Sequence, residues 1–358
     1  MIFTSSFFLE AGMASGYLLL KLFLVFSIAK HIQSKWSFDR ISSLIAGWLI
    51  IQVLQSGVIL SLSAIGLLQQ PYFLVFSLLL ASFIYWQTRS LRFDSSYVEK
   101  SWQNLLPFIS ILFILFAEWI RSLFFYDFTT DAHVYGLPRL AFWLNYSSVF
   151  VNMPTPQLNL FVNEWNAELN SLAYGIASGS YLGFGFGNLE VLLLLFATIA
   201  WVAMLLGAPL FWALCLAATF GSTPAIIGIA TTVKGDLLAC VAFMMAFGWL
   251  LYIKRGGTSP HLAFGMLLLS SILAVGSKIS IVLSILVVFA FGIHLMGTAG
   301  IRSLWRLSVY TKLFFGIAVF VFSSRFWING LMYMNPLKRV DGEKALFSVY
   351  RKRLANPI

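Results

Sequence analysis

Residues 127–139 read Asp-Phe-Thr-Thr-Asp-Ala-His-Val-Tyr-Gly-Leu-Pro-Arg and interrupt long apolar regions of the chain. The ionisable residues of this segment are two carboxylates four residues apart, an imidazole and an arginine: Asp127, Asp131, His133 and Arg139. The segment belongs to a polar stretch at 126–188, which also carries Glu164 and Glu168. We interpret the apolar regions as a membrane scaffold that presents this stretch on one face.

The composition of the chain is that of a membrane protein. Of its 358 residues, 60% are hydrophobic and only 10% are charged, and the mean hydropathy is +0.88. Soluble domains carry about 25% charged residues. Apolar runs of about twenty residues, the length that an α-helix needs to cross a bilayer, recur along the chain. The sequence therefore predicts an all-α, polytopic helical membrane protein.

The apolar runs predict about ten transmembrane helices, of which the sixth and eighth are short and expected to be tilted, broken or partly re-entrant. Their predicted ranges are 12–29, 43–68, 71–87, 105–125, 189–207, 208–222, 236–253, 261–277, 279–296 and 309–324. We divide the chain into N-terminal helices at 1–104, a core at 105–336 and a basic tail at 337–358. The tail suits an anionic membrane surface, but we favour a chain that stops short of further spans.

The net charge of +10 is explained by membrane topology and predicts no nucleic-acid partner. Lys and Arg collect on cytoplasmic loops. With 30–40 in the cytoplasm, alternation places 88–103, 254–260 and 297–312 there too, and these four loops hold eleven of the 23 basic residues. The opposite face holds five before the tail, and it receives the polar stretch at 126–188.

The polar stretch is predicted to be a large outer loop that carries surface helices. Pro138 favours a short helix over 137–144, lying along the membrane surface. A second helix is predicted at about 158–176, after the break at 153–156. The glycine-rich segment 179–187 is typical of a turn, since it lacks the Lys-Ser/Thr pair of a phosphate-binding loop.

Asp131 is the first candidate for chemistry. A carboxylate at the boundary between membrane and water can be positioned as a general base, although a lone acid in a loop is more often simply solvated. Asp127 and His133 could join Asp131 in holding a divalent cation such as Mn, Mg or Zn. The spacing is not a recognised metal signature, and hydrogen bonding or helix capping by Asp127 is the simpler alternative.

Two basic residues on the predicted outer face are candidates for binding a phosphate. Arg139 ends the quoted segment, and Lys278 lies in a short turn between two apolar spans. An ionisable residue at such a depth indicates function, whereas the alternative for Lys278 is a side chain that extends to interfacial water. Lys234 and Arg325 are weaker candidates of the same kind.

Two further acidic residues have a simple structural interpretation. Asp236 starts a predicted span, where a carboxylate favours the helix N-terminus; an active-site role is compatible with that position. Glu118 and Arg121 lie three residues apart on one predicted helix, and we predict an ion pair between them.

Four segments, in this order and on one predicted face, carry a resemblance to a known family. They are Asp-Ala-His-Val-Tyr-Gly-Leu-Pro-Arg at 131–139, Ala-Thr-Thr-Val-Lys-Gly-Asp at 230–236, Gly-Ser-Lys at 276–278 and Arg-Phe-Trp-Ile-Asn-Gly-Leu-Met-Tyr-Met-Asn-Pro at 325–336. Together they resemble segments of GT-C class integral-membrane glycosyltransferases, especially the bacterial branch of protein mannosyltransferases and lipid A aminoarabinose transferases. Gly136 stands where that branch often has a histidine.

The resemblance implies a GT-C-like core and direct transfer of a sugar, usually with inversion, from a polyprenyl-phosphate donor to a glycan, lipid or protein acceptor. It places the protein in a bacterial inner membrane with its active site on the extracytoplasmic side. The implied catalytic residues are Asp131 and Asp236. We predict Asp127, His133, Arg139, Glu164, Lys278 and Arg325 as substrate-binding residues. No organic cofactor is implied, and a divalent cation remains open.

Two other classes of function remain open from the sequence. A transporter or lipid flippase also needs ionisable residues and broken helices within the membrane, although it places charges near the middle of the bilayer. A non-catalytic subunit of an envelope polysaccharide complex is the third possibility. The position of Asp131, Asp236 and Lys278 relative to one another would discriminate between them.

Overall fold

A computed structural model describes residues 5–92, 102–124, 137–150, 166–230, 235–305, 307–324 and 326–328. All regular structure in these residues is helical, which confirms the all-α prediction. The α-helices are α1 (Ser5–Trp36), α2 (Arg40–Ala64), α3 (Gln70–Thr88), α4 (Leu105–Phe124), α5 (Leu137–Tyr146), α6 (Asn166–Ser178), α7 (Phe184–Leu205), α8 (Leu210–Gly221), α9 (Pro224–Ala230), α10 (Gly235–Lys254), α11 (Pro260–Ser277), α12 (Val282–Leu304) and α13 (Val309–Phe322). Short 3₁₀ turns lie at Trp102–Asn104, Tyr181–Gly183 and Ile279–Ile281.

The described residues contain eight helical segments that are long and apolar enough to cross a membrane. Helices α8 and α9 meet at a bend of 70° and add a ninth if the pair counts as one span. The predicted span at 309–324 corresponds to α13, an apolar helix of only 14 residues. The polytopic architecture is thus confirmed, whereas ten full-length spans are more than these residues provide.

Several helix ends follow directly from the sequence. Asp39 caps α2, because its Oδ1 accepts hydrogen bonds from the backbone N–H groups of Ile41 and Ser42 at 3.0 and 2.9 Å. Proline lies in the first turn of α3 and of α11, where its missing N–H is not needed. Gly297 interrupts α12 with φ of 61°, a conformation that residues with a Cβ rarely adopt.

The centre of the bundle is formed by α2, α7, α10 and α11. In each of α2, α7 and α11, about 72% of the residues in an apolar segment of 18 residues are buried. The corresponding share is 17% in α4 and 22% in α12. The exposed residues of α4 and α12 are mostly large and apolar, as expected for helices that face lipid.

Two connections on one end of the bundle lie against each other. Thr258 and Ser259 donate side-chain hydrogen bonds to the backbone carbonyls of Ser37 and Trp36, respectively. The connection between α1 and α2 therefore shares an end with the connection between α10 and α11. The predicted alternation of successive spans across the membrane also places the loops 30–40 and 254–260 on the same face.

The opposite end gathers the connection after α2 and the helices of the polar stretch. The backbone N–H of Leu68 donates to the carbonyl of Ser147, and the Ser148 hydroxyl donates to the carbonyl of Ser63, at 3.2 and 3.1 Å. Gln70 at the start of α3 donates to the carbonyl of Ala177 at the end of α6, at 2.9 Å.

Helix α6 differs from the predicted surface helix. The sequence predicts a helix in this region, but all residues of α6 are buried, in contact with α1, α2, α3 and α7. Small residues allow this close packing: a Cβ on Gly187 would lie 2.7 Å from the Cα of Ser171. The helix is therefore part of the core at this end of the bundle.

Candidate functional site

Three of the predicted site residues lie in the described part of the chain. Asp236 is in the first turn of α10, Lys278 follows the last residue of α11, and Arg139 is in α5. The other predicted site residues lie outside the described residues: Asp127, Asp131, His133, Glu164 and Arg325.

Asp236 and Lys278 form an ion pair between Oδ1 and Nζ, although they are 42 residues apart in the chain. The pair forms because the start of α10 and the end of α11 are in close contact: a Cβ on Gly235 would lie 2.3 Å from the carbonyl oxygen of Ser277. The side chain of Lys278 is 48% exposed and that of Asp236 is 29% exposed. Such a pair remains accessible to a ligand from outside the bundle.

Arg139 lies in a different environment. It is fully buried, and its Nη1 donates to Glu168 Oε2 at 2.9 Å. Its guanidinium carbon lies 5.7 Å from the ring centre of Trp143, within the range of a cation–π interaction. Its Nε and Nη2 have no hydrogen-bond partner among the described residues. Arg139 thus keeps two donor atoms that its ion pair with Glu168 does not use.

The first turn of α6 links the two ion pairs. Glu168 is the partner of Arg139, and the adjacent Ala167 lies next to the start of α10, 3.9 Å from a Cβ built on Gly235. Asn166 donates to the carbonyl of Phe322 at 2.9 Å, and a Cβ on Gly276 would lie 2.3 Å from Asn166 Nδ2. The chain thus brings Arg139, Asp236 and Lys278 to one end of the bundle, around three consecutive residues of α6.

A second cluster of charged residues lies deeper in the bundle. Lys21 of α1 forms an ion pair with Glu190 of α7, 2.7 Å between Nζ and Oε2, and each side chain is only 2% exposed. Lys21 Nζ also donates to Gln52 Oε1 at 3.0 Å and to Asn170 Oδ1 at 2.7 Å. An ammonium group has three N–H donors, and these contacts occupy all of them.

Glu190 is equally well satisfied. Trp48 Nε1 donates to its Oε1 at 2.5 Å, and the Tyr174 hydroxyl donates to its Oε2 at 3.0 Å. Tyr174 is on α6, outside the candidate membrane spans. Burial, and then the negative charge of Glu190, raise the pKa of Tyr174 well above its usual value. The hydroxyl therefore stays protonated and donates a hydrogen bond to Glu190.

A small cavity between α1, α2 and α3 reaches Lys21. It leaves about 20 Å³ for the centres of water molecules, enough to admit one water. Its polar lining is formed by Tyr17, Lys21, Gln55 and Ser77. The Tyr17 hydroxyl donates a long hydrogen bond to Gln55 Oε1, at 3.4 Å, on this side of the cluster.

The sequence analysis did not identify Lys21 and Glu190 as site residues. A signal was present, because both fall inside predicted spans and an ionisable residue within a span indicates a specific role. Their partners were not visible in the sequence, since Lys21 and Glu190 are 169 residues apart. The predicted pair of Glu118 and Arg121 is confirmed, with 3.8 Å between the charged atoms.

The part of the chain that the structure describes holds no group of three or more His, Cys, Asp or Glu residues that could bind a metal ion. The predicted ligands of a divalent cation, Asp127, Asp131 and His133, lie outside that part, so the metal stays a prediction. Comparisons with family models, with curated proteins and with solved structures find no match to this chain.

Proposed function

We propose that this protein is an integral-membrane glycosyltransferase that uses a sugar linked to a polyprenyl phosphate. The observation that carries the proposal is the convergence of Arg139, Asp236 and Lys278 around the first turn of α6. A phosphate-linked donor requires cations and an acid near one another. Arg139 contacts Glu168 of this turn, and Gly235 and Gly276, close to the Asp236–Lys278 pair, lie against Ala167 and Asn166 of the same turn. The resemblance of four sequence segments to GT-C enzymes supports the same class.

The proposed reaction joins an acceptor hydroxyl to the anomeric carbon of the sugar. Asp131 takes the proton of the hydroxyl as the new C–O bond forms, while the bond between the anomeric carbon and the phosphate oxygen breaks. Negative charge grows on the leaving lipid phosphate. Fixed cations stabilise such charge, and Lys278 and the unpaired donors of Arg139 are assigned this role.

Asp236 has two roles in the proposal. Its carboxylate holds Lys278 at the edge of the site through their ion pair. It also carries a negative charge in the first turn of α10, where the helix dipole favours it. We assign the remaining predicted residues, Asp127, His133, Glu164 and Arg325, to the binding of substrate. The proposed location is a bacterial inner membrane, with the site on the extracytoplasmic face.

The test is transfer of sugar by the purified protein in lipid vesicles that contain polyprenyl-phosphate sugars. Asp131→Asn is expected to abolish transfer while the protein still inserts and folds. Asp39→Asn is the matched control: it makes the same change at the end of the bundle opposite to Asp236 and Lys278, and asparagine caps a helix as well as aspartate. Full activity of Asp131→Asn would remove this residue from the mechanism.

A transporter or flippase is the second candidate, and the buried pair of Lys21 and Glu190 is the observation that favours it. Charged pairs inside the bundle are typical of transport pathways. In this protein, however, the pair is 2% exposed, and the cavity beside it has room for about one water molecule. Uptake or flipping of labelled substrate by vesicles, without any glycosylated product, would favour the transporter.

A further inference from the structure

We infer that the buried cluster of Lys21 and Glu190 is a positioning device that fixes the rotation of α6 and thereby places Glu168 against Arg139. The inference rests on the proposed function for its role in catalysis. Its structural part, the fixation of α6, can be tested without any substrate.

Helix α6 contacts the cluster through Asn170 and Tyr174. Asn170 Oδ1 accepts from Lys21, at 2.7 Å, and from Gln55, at 3.2 Å, while Asn170 Nδ2 donates to the carbonyl of Gly187, at 3.0 Å. Tyr174, one turn later, donates to Glu190. Every hydrogen-bonding atom of the Asn170 side chain is therefore used to attach α6 to α1, α2 and α7.

Helix geometry decides which residues of α6 lie on the same side as Asn170. Successive residues of an α-helix are about 100° apart around the axis, so Asn166, Asn170 and Tyr174 form one stripe. All three make hydrogen bonds with the bundle through this stripe. Glu168 lies about 160° away from Asn170 around the axis. The contacts of the stripe therefore direct Glu168 to the opposite side of the helix, where Arg139 lies.

The cluster that holds α6 contains two charged residues, although burying a charge is costly. Pairing two buried charges offsets their loss of hydration only if geometry and hydrogen bonding are good. Lys21 and Glu190 meet that condition, with all three N–H groups of Lys21 in use. Buried polar networks of this kind specify one arrangement of helices, because a shifted register leaves charges without partners. Apolar packing alone would allow α6 to rotate or slide at a smaller cost.

The test compares two substitutions that each remove one carboxamide acceptor from Lys21. Asn170→Leu removes the acceptor on α6. Gln52→Met removes the acceptor on α2, whose hydrogen bond with Lys21 does not involve α6. Both variants are expected to lower the melting temperature. Gln52→Met also removes a buried N–H donor that has no partner in the described residues. This variant is therefore expected to lower the melting temperature no more than Asn170→Leu does.

The structural measurement is the rate at which a water-soluble maleimide labels Ser171→Cys, in protein whose Cys215 and Cys240 are replaced by alanine. Ser171 is buried on α6, so labelling requires α6 to leave its place. Asn170→Leu is expected to raise the labelling rate at least about tenfold, the effect of losing a hydrogen bond to a charged group. Gln52→Met is expected to leave the rate close to that of the parent.

The functional measurement is kcat per folded molecule. Asn170→Leu is expected to lower it at least about tenfold and Gln52→Met to leave it nearly unchanged, since misplaced catalytic groups lose rate. Equal labelling rates in the two variants would overturn the inference, whatever their activities. Selective labelling, with no transfer by any protein including the parent, would support the inference and refute the glycosyltransferase.

A second variant keeps the test decisive if Asn170→Leu does not fold. Tyr174→Phe removes only the hydroxyl that α6 donates to Glu190 and keeps the aromatic ring. It is expected to raise the labelling rate of Ser171→Cys, as Asn170→Leu does. An unchanged rate would show that the cluster does not hold α6.

Discussion

Arg139 and Lys278 are both cations at the same end of the bundle, yet their surroundings differ. Arg139 is fully buried against Glu168, whereas nearly half of the Lys278 side chain is exposed. A buried charge depends on its partner, because losing the partner leaves the charge without compensation. An exposed charge exchanges a partner for water at little cost. Their substitution should therefore have different consequences for stability.

We predict that Glu168→Gln lowers the free energy of unfolding by about 3–5 kcal/mol, because the buried guanidinium of Arg139 loses its carboxylate. The matched change at the exposed pair, Asp236→Asn, is expected to cost less than about 1 kcal/mol. Unfolding of both variants by denaturant in detergent micelles would measure the difference. Equal losses would contradict the buried position of Arg139.

A second prediction concerns Lys21 and Glu190. Lys21→Met and Glu190→Gln are each expected to destabilise the protein by about 3–5 kcal/mol, because each leaves one buried charge unpaired. The double variant buries no unpaired charge and is expected to be more stable than either single variant. A double-mutant cycle of unfolding free energies measures this coupling. Additive losses would mean that the two charges do not interact.

At this scale the sequence indicated the kinds of residue in the site better than their contacts. It identified Arg139, at the end of the polar segment 127–139, and Lys278, in a short turn between two apolar spans, as cations of the predicted outer face. It did not pair Arg139 with Glu168 or Lys278 with Asp236, which are 29 and 42 residues apart. Side-chain contacts between distant residues depend on how helices pack, and neither periodicity nor spacing contains that information.

Helix α6 shows the limit of prediction for a whole element. Its existence follows from the sequence, but its polar residues suggest an exposed position. They are buried because partners from α1, α7 and the end of α13 satisfy them: Asn170 with Lys21, Tyr174 with Glu190 and Asn166 with the carbonyl of Phe322. A polar helix can thus be a core element when its hydrogen bonds are made inside the protein.

The contact between α10 and α11 supports a prediction about a single glycine. A Cβ on Gly235 would lie 2.3 Å from the carbonyl oxygen of Ser277, which is closer than real Cβ atoms come. Gly235→Ala is therefore expected to push the start of α10 away from the end of α11 and to separate Asp236 from Lys278. We expect a loss of stability of about 1–3 kcal/mol from such overpacking, together with a loss of transfer activity.

The control for this prediction is Gly316→Ala in α13. A Cβ on Gly316 would meet no atom within 4 Å. Alanine is about 1 kcal/mol better than glycine inside a helix, so this variant is expected to be as stable as the parent or more stable. If Gly235→Ala were as stable and as active as Gly316→Ala, the close approach of α10 and α11 would be incorrect.

For the whole molecule, the order and approximate ranges of the long spans follow from the apolar runs. The region 208–230 departs from this pattern, because the apolar run folds as two short helices with a 70° bend. The short run at 208–222 was expected to be tilted, broken or partly re-entrant, and the bend shows that the helix is broken here. The position of the bend was not predicted, although Pro224 begins the second helix and marks it. Run length predicts spans well only where a helix continues without a break.

The last prediction concerns the side of the membrane on which the site lies. Contacts between loops put the connection after α1 and the end of α5 at opposite ends of the bundle. The distribution of Lys and Arg assigns the first of these to the cytoplasm. Both ends offer an exposed position for a thiol, Ser34 on α1 and Asn145 on α5. In intact cells, a membrane-impermeant maleimide is expected to label Asn145→Cys and not Ser34→Cys.

Labelling after permeabilisation is the control, because both thiols should then react at similar rates; Cys215 and Cys240 are replaced by alanine in both proteins. A lipid-borne sugar donor is needed only where sugar nucleotides are absent, on the extracytoplasmic side. If Ser34→Cys were the variant labelled in intact cells, Arg139, Asp236 and Lys278 would face the cytoplasm. The proposed transferase would then lose its reason for a polyprenyl-phosphate donor, although the contacts of α6 with the bundle would be unaffected.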